Sequence, residues 1–315
     1  MAISTIKVYR AHIGVQAALC AFILVLCFLT ATAIRRSHKP AGKGVKYLYA
    51  AFALLFLANL FDAIDYGLYL ELFGKGTSLK VKTFLMEPQQ RVDIVAYLFR
   101  TVGASAILPC IAGMAAGIYQ QHDTRPVHIY YALLGGIAAV VAILGLTAFS
   151  GRQWVLTEYL RGFSDPQTAF YGFGTRRWST VDKNMKRLAA VVDIMLLVVS
   201  ILTTAWVWVA VTTARKAGGG WNMLDRSVNL LVVASLLNIV ARALRMVQVA
   251  WNLGRGAPRN NAWYSAADLI LDNVLTVVVL GLLYGVTCSR AGSSWRTSKG
   301  DAENSKWPSQ PYRPD

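Results

Sequence analysis

Long apolar runs alternate with short polar segments along most of this chain, and the pattern predicts a bundle of membrane-spanning helices. A helix needs about 20 apolar residues to cross the hydrocarbon core of a bilayer. Seven runs of roughly this length or more can be drawn, over residues 13–34, 47–73, 92–119, 127–149, 188–212, 227–251 and 264–287. We therefore predict an all-α fold, an integral membrane bundle of seven transmembrane helices within residues 1–287. The polar tail, residues 288–315, is expected to be disordered.

Nine charged side chains interrupt these apolar runs. An ionisable residue inside a membrane is costly, so each is a hypothesis for a functional site. When the chain is threaded up and down, all nine fall in the half of the bilayer shared by the end of run 2 and the start of run 3. They come from five helices and predict a buried polar pocket: Asp62, Asp65, Asp93, Arg100, Asp193, Arg242, Arg245, Asp268 and Asp272.

Helical spacing groups these charges with polar neighbours. Residues three, four or seven apart share one face of a helix. On this basis run 2 presents Asn59, Asp62, Tyr66 and Tyr69 together with Asp65 beside them. The other faces combine Asp93 with Arg100 in run 3, Asn238 with Arg242 and Arg245 in run 6, and Asp268 with Asp272 and Asn273 in run 7, while run 5 adds Asp193.

The balance of charge inside the runs favours acid chemistry. Six carboxylates face three guanidiniums, and like charges crowded in a low dielectric cannot all ionise. Some of these carboxyls should therefore hold a proton at neutral pH and could donate it. The candidate acids are Asp62, Asp65, Asp268 and Asp272. The alternative is that the charges form interhelical ion pairs that only fix the packing.

The composition agrees with a membrane protein. Hydrophobic residues make up 55% of the chain and charged residues 15%, against about 25% charged in soluble domains. The net charge of +16 lies mostly in loops and tail, which favours contact with anionic membrane lipids over binding of nucleic acid. The basic loop after run 1 favours an N-terminus outside or in the lumen and a C-terminus in the cytosol.

Several other classes of membrane protein are disfavoured. Run 7 has no lysine for a retinal Schiff base, and the motifs of the common class of G-protein-coupled receptors are absent from the sequence. The four histidines lie at or outside the ends of the runs, so we expect neither metal nor cofactor. The one long loop, residues 150–187, is either a lid over the pocket or a connector that rests on the membrane surface.

Seven spans with carboxylates in one half of the bundle and no cofactor motif resemble the small integral-membrane terpene cyclases of fungal meroterpenoid pathways. The resemblance covers the general layout of all seven runs. It implies a lipophilic substrate, an endoplasmic reticulum location, and an acid that protonates a prenyl epoxide or alkene to start cation cyclisation. One of the four candidate aspartates would be the acid, and an arginine would hold a neighbouring carboxylate. Aromatic rings, among them Tyr66, Tyr69, Tyr97 and Phe99, would face the cation.

Two other functions remain open. A proton-coupled transporter would also use buried aspartates and arginines, but it requires a polar path into the other half of the bundle. A seven-helix receptor for a small ligand would explain the basic loops but not so many carboxylates.

Overall fold

The protein is entirely helical over the residues that the computed structural model describes, which are 3–37, 43–73, 79–119, 128–161, 176–217, 226–255 and 273–288. Seven helices in these ranges confirm the predicted all-α fold. They are α1 Ile3–Ser37, α2 Lys43–Phe73, α3 Leu79–Tyr119, α4 His128–Arg161, α5 Arg176–Ala217, α6 Arg226–Arg255 and α7 Leu275–Cys288.

Six of these helices are long and apolar enough to cross a membrane, so the protein is a multi-pass membrane protein. Their apolar spans are Lys7–Arg35, Gly44–Leu72, Phe84–Tyr119, Gly135–Trp154, Arg187–Lys216 and Arg226–Val247. The seventh helix, α7, is shorter. The first part of the predicted seventh run, residues 264–272, lies outside the described residues, as does the predicted polar tail beyond residue 288.

Helix α3 lies at the centre of the bundle. It packs against α2, α4, α5 and α6, and 67% of its apolar span is buried, against 22% of the span in α1. Glycines allow the neighbours of α3 to approach closely. A Cβ atom added to Gly44 of α2 would lie 2.8 Å from the backbone oxygen of Cys110 in α3. Small residues at such contacts are a common means of packing helices in lipid.

Pro88 and Pro109 both lie inside α3, which is a continuous helix of 41 residues. A proline removes one backbone donor and usually bends a helix. The kink predicted at Pro109 stays a prediction.

Four helices extend by ten residues or more beyond the apolar runs that predicted them, which corrects the predicted boundaries. α1 begins ten residues before run 1 and α3 begins thirteen residues before run 3. The predicted loop 150–187 is wrong at both ends, because residues 150–161 continue α4 and residues 176–187 begin α5. These extensions are polar or mixed, so hydropathy alone does not reveal them although their residues favour helix. The predicted lid could only lie in residues 162–175, which are outside the described residues.

A continuous hydrophobic core fills one half of the bundle, formed by the end of α3 and the helix segments level with it. We call it the apolar half. Its fully buried side chains include Ile23, Leu48, Phe52, Ile111, Leu231 and Leu283. Among the residues whose side chains the structure describes, no charged residue is buried there.

Candidate functional site

The ion pairs between the described helices lie in the opposite half of the bundle. Each main contact joins the start of an odd-numbered helix to the end of an even-numbered one, as expected for helices that alternate in direction. We call this set of paired side chains the polar layer. It consists of Asp62, Asp65, Gln89, Asp93, Arg100, Arg152, Asp193, Asn238, Arg242, Arg245 and Thr276.

Two aspartates three residues apart on α2 have different partners on α3. Asp62 forms an ion pair with Arg100, in which the guanidinium Nη2 donates to the carboxylate Oδ2. Asp65 accepts a hydrogen bond at Oδ1 from the side-chain amide of Gln89, with Nε2 and Oδ1 2.6 Å apart. Asp62 therefore has a cationic partner, and Asp65 has a neutral amide that fixes one of its two oxygens.

The other side of the polar layer joins α5, α6 and α7. Arg245 Nε lies 3.8 Å from Asp193 Oδ2, which is within ion-pair range. Arg242 is buried and donates to the hydroxyl of Thr276 in α7 over 2.9 Å. Asn238, one turn earlier, donates to the Ser200 hydroxyl over 3.0 Å. The polar face predicted on run 6 thus contacts two different helices, α5 and α7.

Helix α4 supplies a cation that the sequence analysis assigned to a loop. Arg152 Nη2 lies 3.4 Å from Asp93 Oδ2. One residue later on α4, Gln153 accepts a hydrogen bond from Arg91 Nη1 over 3.0 Å, and Arg91 also pairs with Glu87 at 2.7 Å. Only the helical extension of run 4 could have revealed these contacts, and hydropathy does not show it.

Arg152 changes the charge balance on which the acid argument depends. The described carboxylates in the polar layer are Asp62, Asp65, Asp93 and Asp193, and four arginines now accompany them: Arg100, Arg152, Arg242 and Arg245. Over the described residues, carboxylates and guanidiniums in the polar layer are therefore equal in number. The predicted excess of acid would depend on Asp268 and Asp272, which lie outside the described residues, so their predicted role stays a prediction.

Helix α1 adds a polar face that the sequence analysis missed. Tyr9, His12 and Gln16 lie on one face and are buried, with 4%, 2% and 1% of their surface exposed. The His12 ring meets the Tyr66 ring edge-on with centroids 4.9 Å apart, and the Tyr9 and Tyr69 rings are also 4.9 Å apart. The spacing of three and four residues could have indicated this face, but run 1 was drawn to begin after His12.

The remaining predicted residues are distributed as follows. Asn59 is buried on α2, and its amide Nδ2 donates to the Leu55 carbonyl over 2.7 Å. Phe99 stacks on Phe61 with ring centroids 5.6 Å apart, and Tyr97 is buried on α3. Asn273 is half-buried at the start of the last described segment.

Metal binding has no support in the described part of the chain, where no three His, Cys, Asp or Glu side chains are grouped closely enough to hold an ion. The four cysteines are free. Comparison of the chain with protein-family models, with curated proteins and with solved structures finds no match. The chemistry of the polar layer must therefore be argued from its residues.

Proposed function

We propose that the protein is a membrane-embedded terpene cyclase in which a buried carboxylic acid protonates a prenyl epoxide or alkene. The observation that carries the proposal is the pair of α2 aspartates with unlike partners, Arg100 on Asp62 and the amide of Gln89 on Asp65. A carboxyl that accepts a hydrogen bond from a neutral amide can carry a proton, and this contact supports Asp65 as the acid. Enzymes often separate acid and anion roles between two neighbouring carboxyls in this way.

We assign Asp65, which is half-buried on α2, as the acid, and Asp62 with Arg100 positions it. Gln89 donates to Oδ1 of Asp65 and would hold the carboxyl in place while its proton is transferred. Transfer of the proton to an epoxide oxygen breaks one C–O bond and leaves a carbocation, which the π electrons of a neighbouring alkene attack to close a ring. The final cation loses a proton to the Asp65 carboxylate, so the acid is restored and no cofactor is consumed. Tyr66 and Tyr69 lie on the same helix and could face the cation.

The apolar half favours this proposal over a transporter. A transported molecule has to leave the polar layer on the far side of the membrane, which requires polar groups along the route. The described side chains buried there are instead hydrophobic, with a few hydroxyls such as that of Thr30, which donates to the Leu26 carbonyl over 2.7 Å. A polar layer confined to one half of the bundle suits an enzyme that receives and releases a lipophilic molecule in the same half of the membrane.

Asp65→Asn gives the sharpest test. The new amide oxygen can still accept the hydrogen bond from Gln89, so the shape and the contact are kept while the acidic proton is lost. We expect turnover of a farnesyl-aromatic epoxide to fall by about 10²–10⁴-fold, the usual contribution of a general acid, with an unchanged melting temperature. Cyclised product would be measured by mass spectrometry with purified protein in lipid nanodiscs.

Glu71→Gln is the matched control, because Glu71 is an exposed carboxylate on the same helix. It should leave turnover unchanged. Asp268→Asn and Asp272→Asn belong in the same series. If one of them loses turnover while Asp65→Asn keeps full activity, the acid is that aspartate of run 7 and not Asp65. Failure of the unaltered protein to convert any prenyl epoxide offered would contradict the cyclase proposal.

The location that accompanies this proposal is the endoplasmic reticulum, with the N-terminus and the polar layer toward the lumen and the C-terminus in the cytosol. The basic residues Arg35 and Arg36 in the last turn of α1 support this orientation. An N-glycosylation sequence appended to the N-terminus should then be modified, and the same sequence appended to the C-terminus should not. The reverse result would mean that the protein has the opposite orientation in the membrane. The contacts within the polar layer would be the same in either orientation.

A further inference from the structure

The contact between α1 and α2 contains two buried hydrogen-bond acceptors. Gln16 is 1% exposed and Asn59 is 3% exposed. Gln16 Oε1 and Asn59 Oδ1 each lack a donor among the residues that the structure describes. We call these two oxygens the acceptor pair. Buried polar atoms are nearly always hydrogen-bonded, so two such oxygens in one interface require an explanation.

The orientation of the Asn59 amide is fixed by its own helix. Its Nδ2 donates to the Leu55 carbonyl over 2.7 Å, and rotating the amide by 180° would place two oxygens against each other. The oxygen therefore points away from the backbone of α2.

The register between the helices places Gln16 level with Asn59. The Cys20 thiol of α1 lies 3.6 Å from the Phe56 carbonyl of α2. One turn before Cys20 is Gln16, and about one turn after Phe56 is Asn59, because the two helices run in opposite directions. The next contact in this series is the ring pair of His12 and Tyr66. The acceptor pair thus sits between two observed contacts, one turn from Asp62.

We propose that the acceptor pair binds the head group of a lipophilic ligand that offers two hydroxyl donors. Both acceptors are amide oxygens without formal charge, so they suit neutral hydroxyls. The ligand body would be apolar, because the acceptor pair lies within the membrane-spanning segments of α1 and α2. The proposal concerns binding alone and does not depend on the proposed cyclisation.

A series of three ligands with one chain length tests the two-donor requirement. Dodecane-1,2-diol has two donors, dodecan-1-ol has one, and 1,2-dimethoxydodecane has none. We expect saturable binding of one diol per protein in nanodiscs. Loss of one hydrogen bond to a buried group corresponds to about tenfold in affinity. The mono-alcohol should therefore bind about tenfold more weakly than the diol, and the diether about tenfold more weakly again.

Gln16→Met keeps the side-chain shape and removes one acceptor. In this variant the diol should bind about tenfold more weakly than in the unaltered protein, and the diol and mono-alcohol should become equal. Asn59→Leu should do the same. Thr30→Val is the matched control, because Thr30 lies on the same buried face of α1 and its hydroxyl already donates to its own helix. It should leave the order and the affinities of the three ligands unchanged.

Thermal stability separates a ligand site from a structural contact. Without ligand, Gln16→Met should melt at or above the temperature of the unaltered protein, since it removes a buried acceptor that has no donor. A lower melting temperature would mean that the Gln16 oxygen has a structural partner and would overturn the proposal. Equal binding of the three ligands, no saturable binding of the diol, or an equal loss for all ligands in Gln16→Met would also overturn it. Asp65→Asn should bind the diol as tightly as the unaltered protein does. A failure of the cyclase proposal can therefore be distinguished from a failure of this binding proposal.

Discussion

At the scale of single residues, the polar layer contains neighbouring aspartates on one helix that contact different kinds of side chain. Asp62 and Asp65 lie three residues apart and look equivalent in the sequence. Their described contacts differ in charge, because one meets a guanidinium and the other an amide. Substitution by asparagine therefore tests chemistry at Asp65 and mainly tests stability at Asp62.

Breaking the Asp62–Arg100 pair should be costly only when one partner is removed. Asp62→Asn or Arg100→Met alone leaves a poorly compensated charge in the membrane, and we expect the free energy of unfolding to fall by about 3–5 kcal/mol. The double variant Asp62→Leu/Arg100→Met removes both charges and should be close to the unaltered protein. Denaturant unfolding in a fixed detergent would measure all of these variants. If the free energy of unfolding of the double variant instead falls by the sum of the two single losses, the two side chains act independently.

The extent of the site that could be predicted also becomes clear at this scale. The sequence predicted site residues such as Asp62, Asp93, Asp193 and Arg242, because a charged residue stands out in an apolar run. Placing such a residue inside a membrane costs free energy whatever its neighbours are. Spacing gives the face on which a residue lies but not the neighbour that it meets, so the ion pairs could not be assigned.

At the scale of helices, the sequence predicts the number and order of the elements but not their full length. Gln89 and Arg152 lie in helical extensions outside the apolar runs, so a hydropathy window excludes them although each contacts a predicted aspartate. The same limit removed His12 from the candidate site. A helix in a membrane protein extends into polar sequence wherever its own backbone and neighbours support it.

The approach of α2 to α3 depends on Gly44, which lies against the backbone of α3. Gly44→Ala would place a methyl group 2.8 Å from the Cys110 oxygen, and the backbone there cannot move aside cheaply. We expect the free energy of unfolding to fall by about 1–3 kcal/mol, as for other overpacked sites. Melting temperature in detergent would report the change.

Gly136→Ala in α4 is the control for this test, since an added Cβ there meets nothing within 4 Å. Alanine favours helix over glycine, so this variant should be as stable as the unaltered protein or more stable by up to about 1 kcal/mol. Equal effects at the two positions would show that the close approach of α2 and α3 is unimportant.

At the scale of the whole molecule, the bundle is divided by depth into a polar layer and an apolar half. We expect this division to give the proposed enzyme a preferred leaflet. In proteoliposomes of uniform orientation, a substrate that crosses the bilayer slowly should be converted faster when it is supplied to the leaflet that contains the polar layer. Product formation over time would measure the difference. Equal rates from both leaflets would contradict this expectation.

The apolar half also determines where protons can come from. Water enters a hydrocarbon-like core rarely, so an acid in the polar layer would exchange its proton with one aqueous compartment and remain insulated from the other. Activity should then follow the acidity of that compartment alone. A cell could regulate such a protein by acidifying the organelle lumen, with no change in the cytosol.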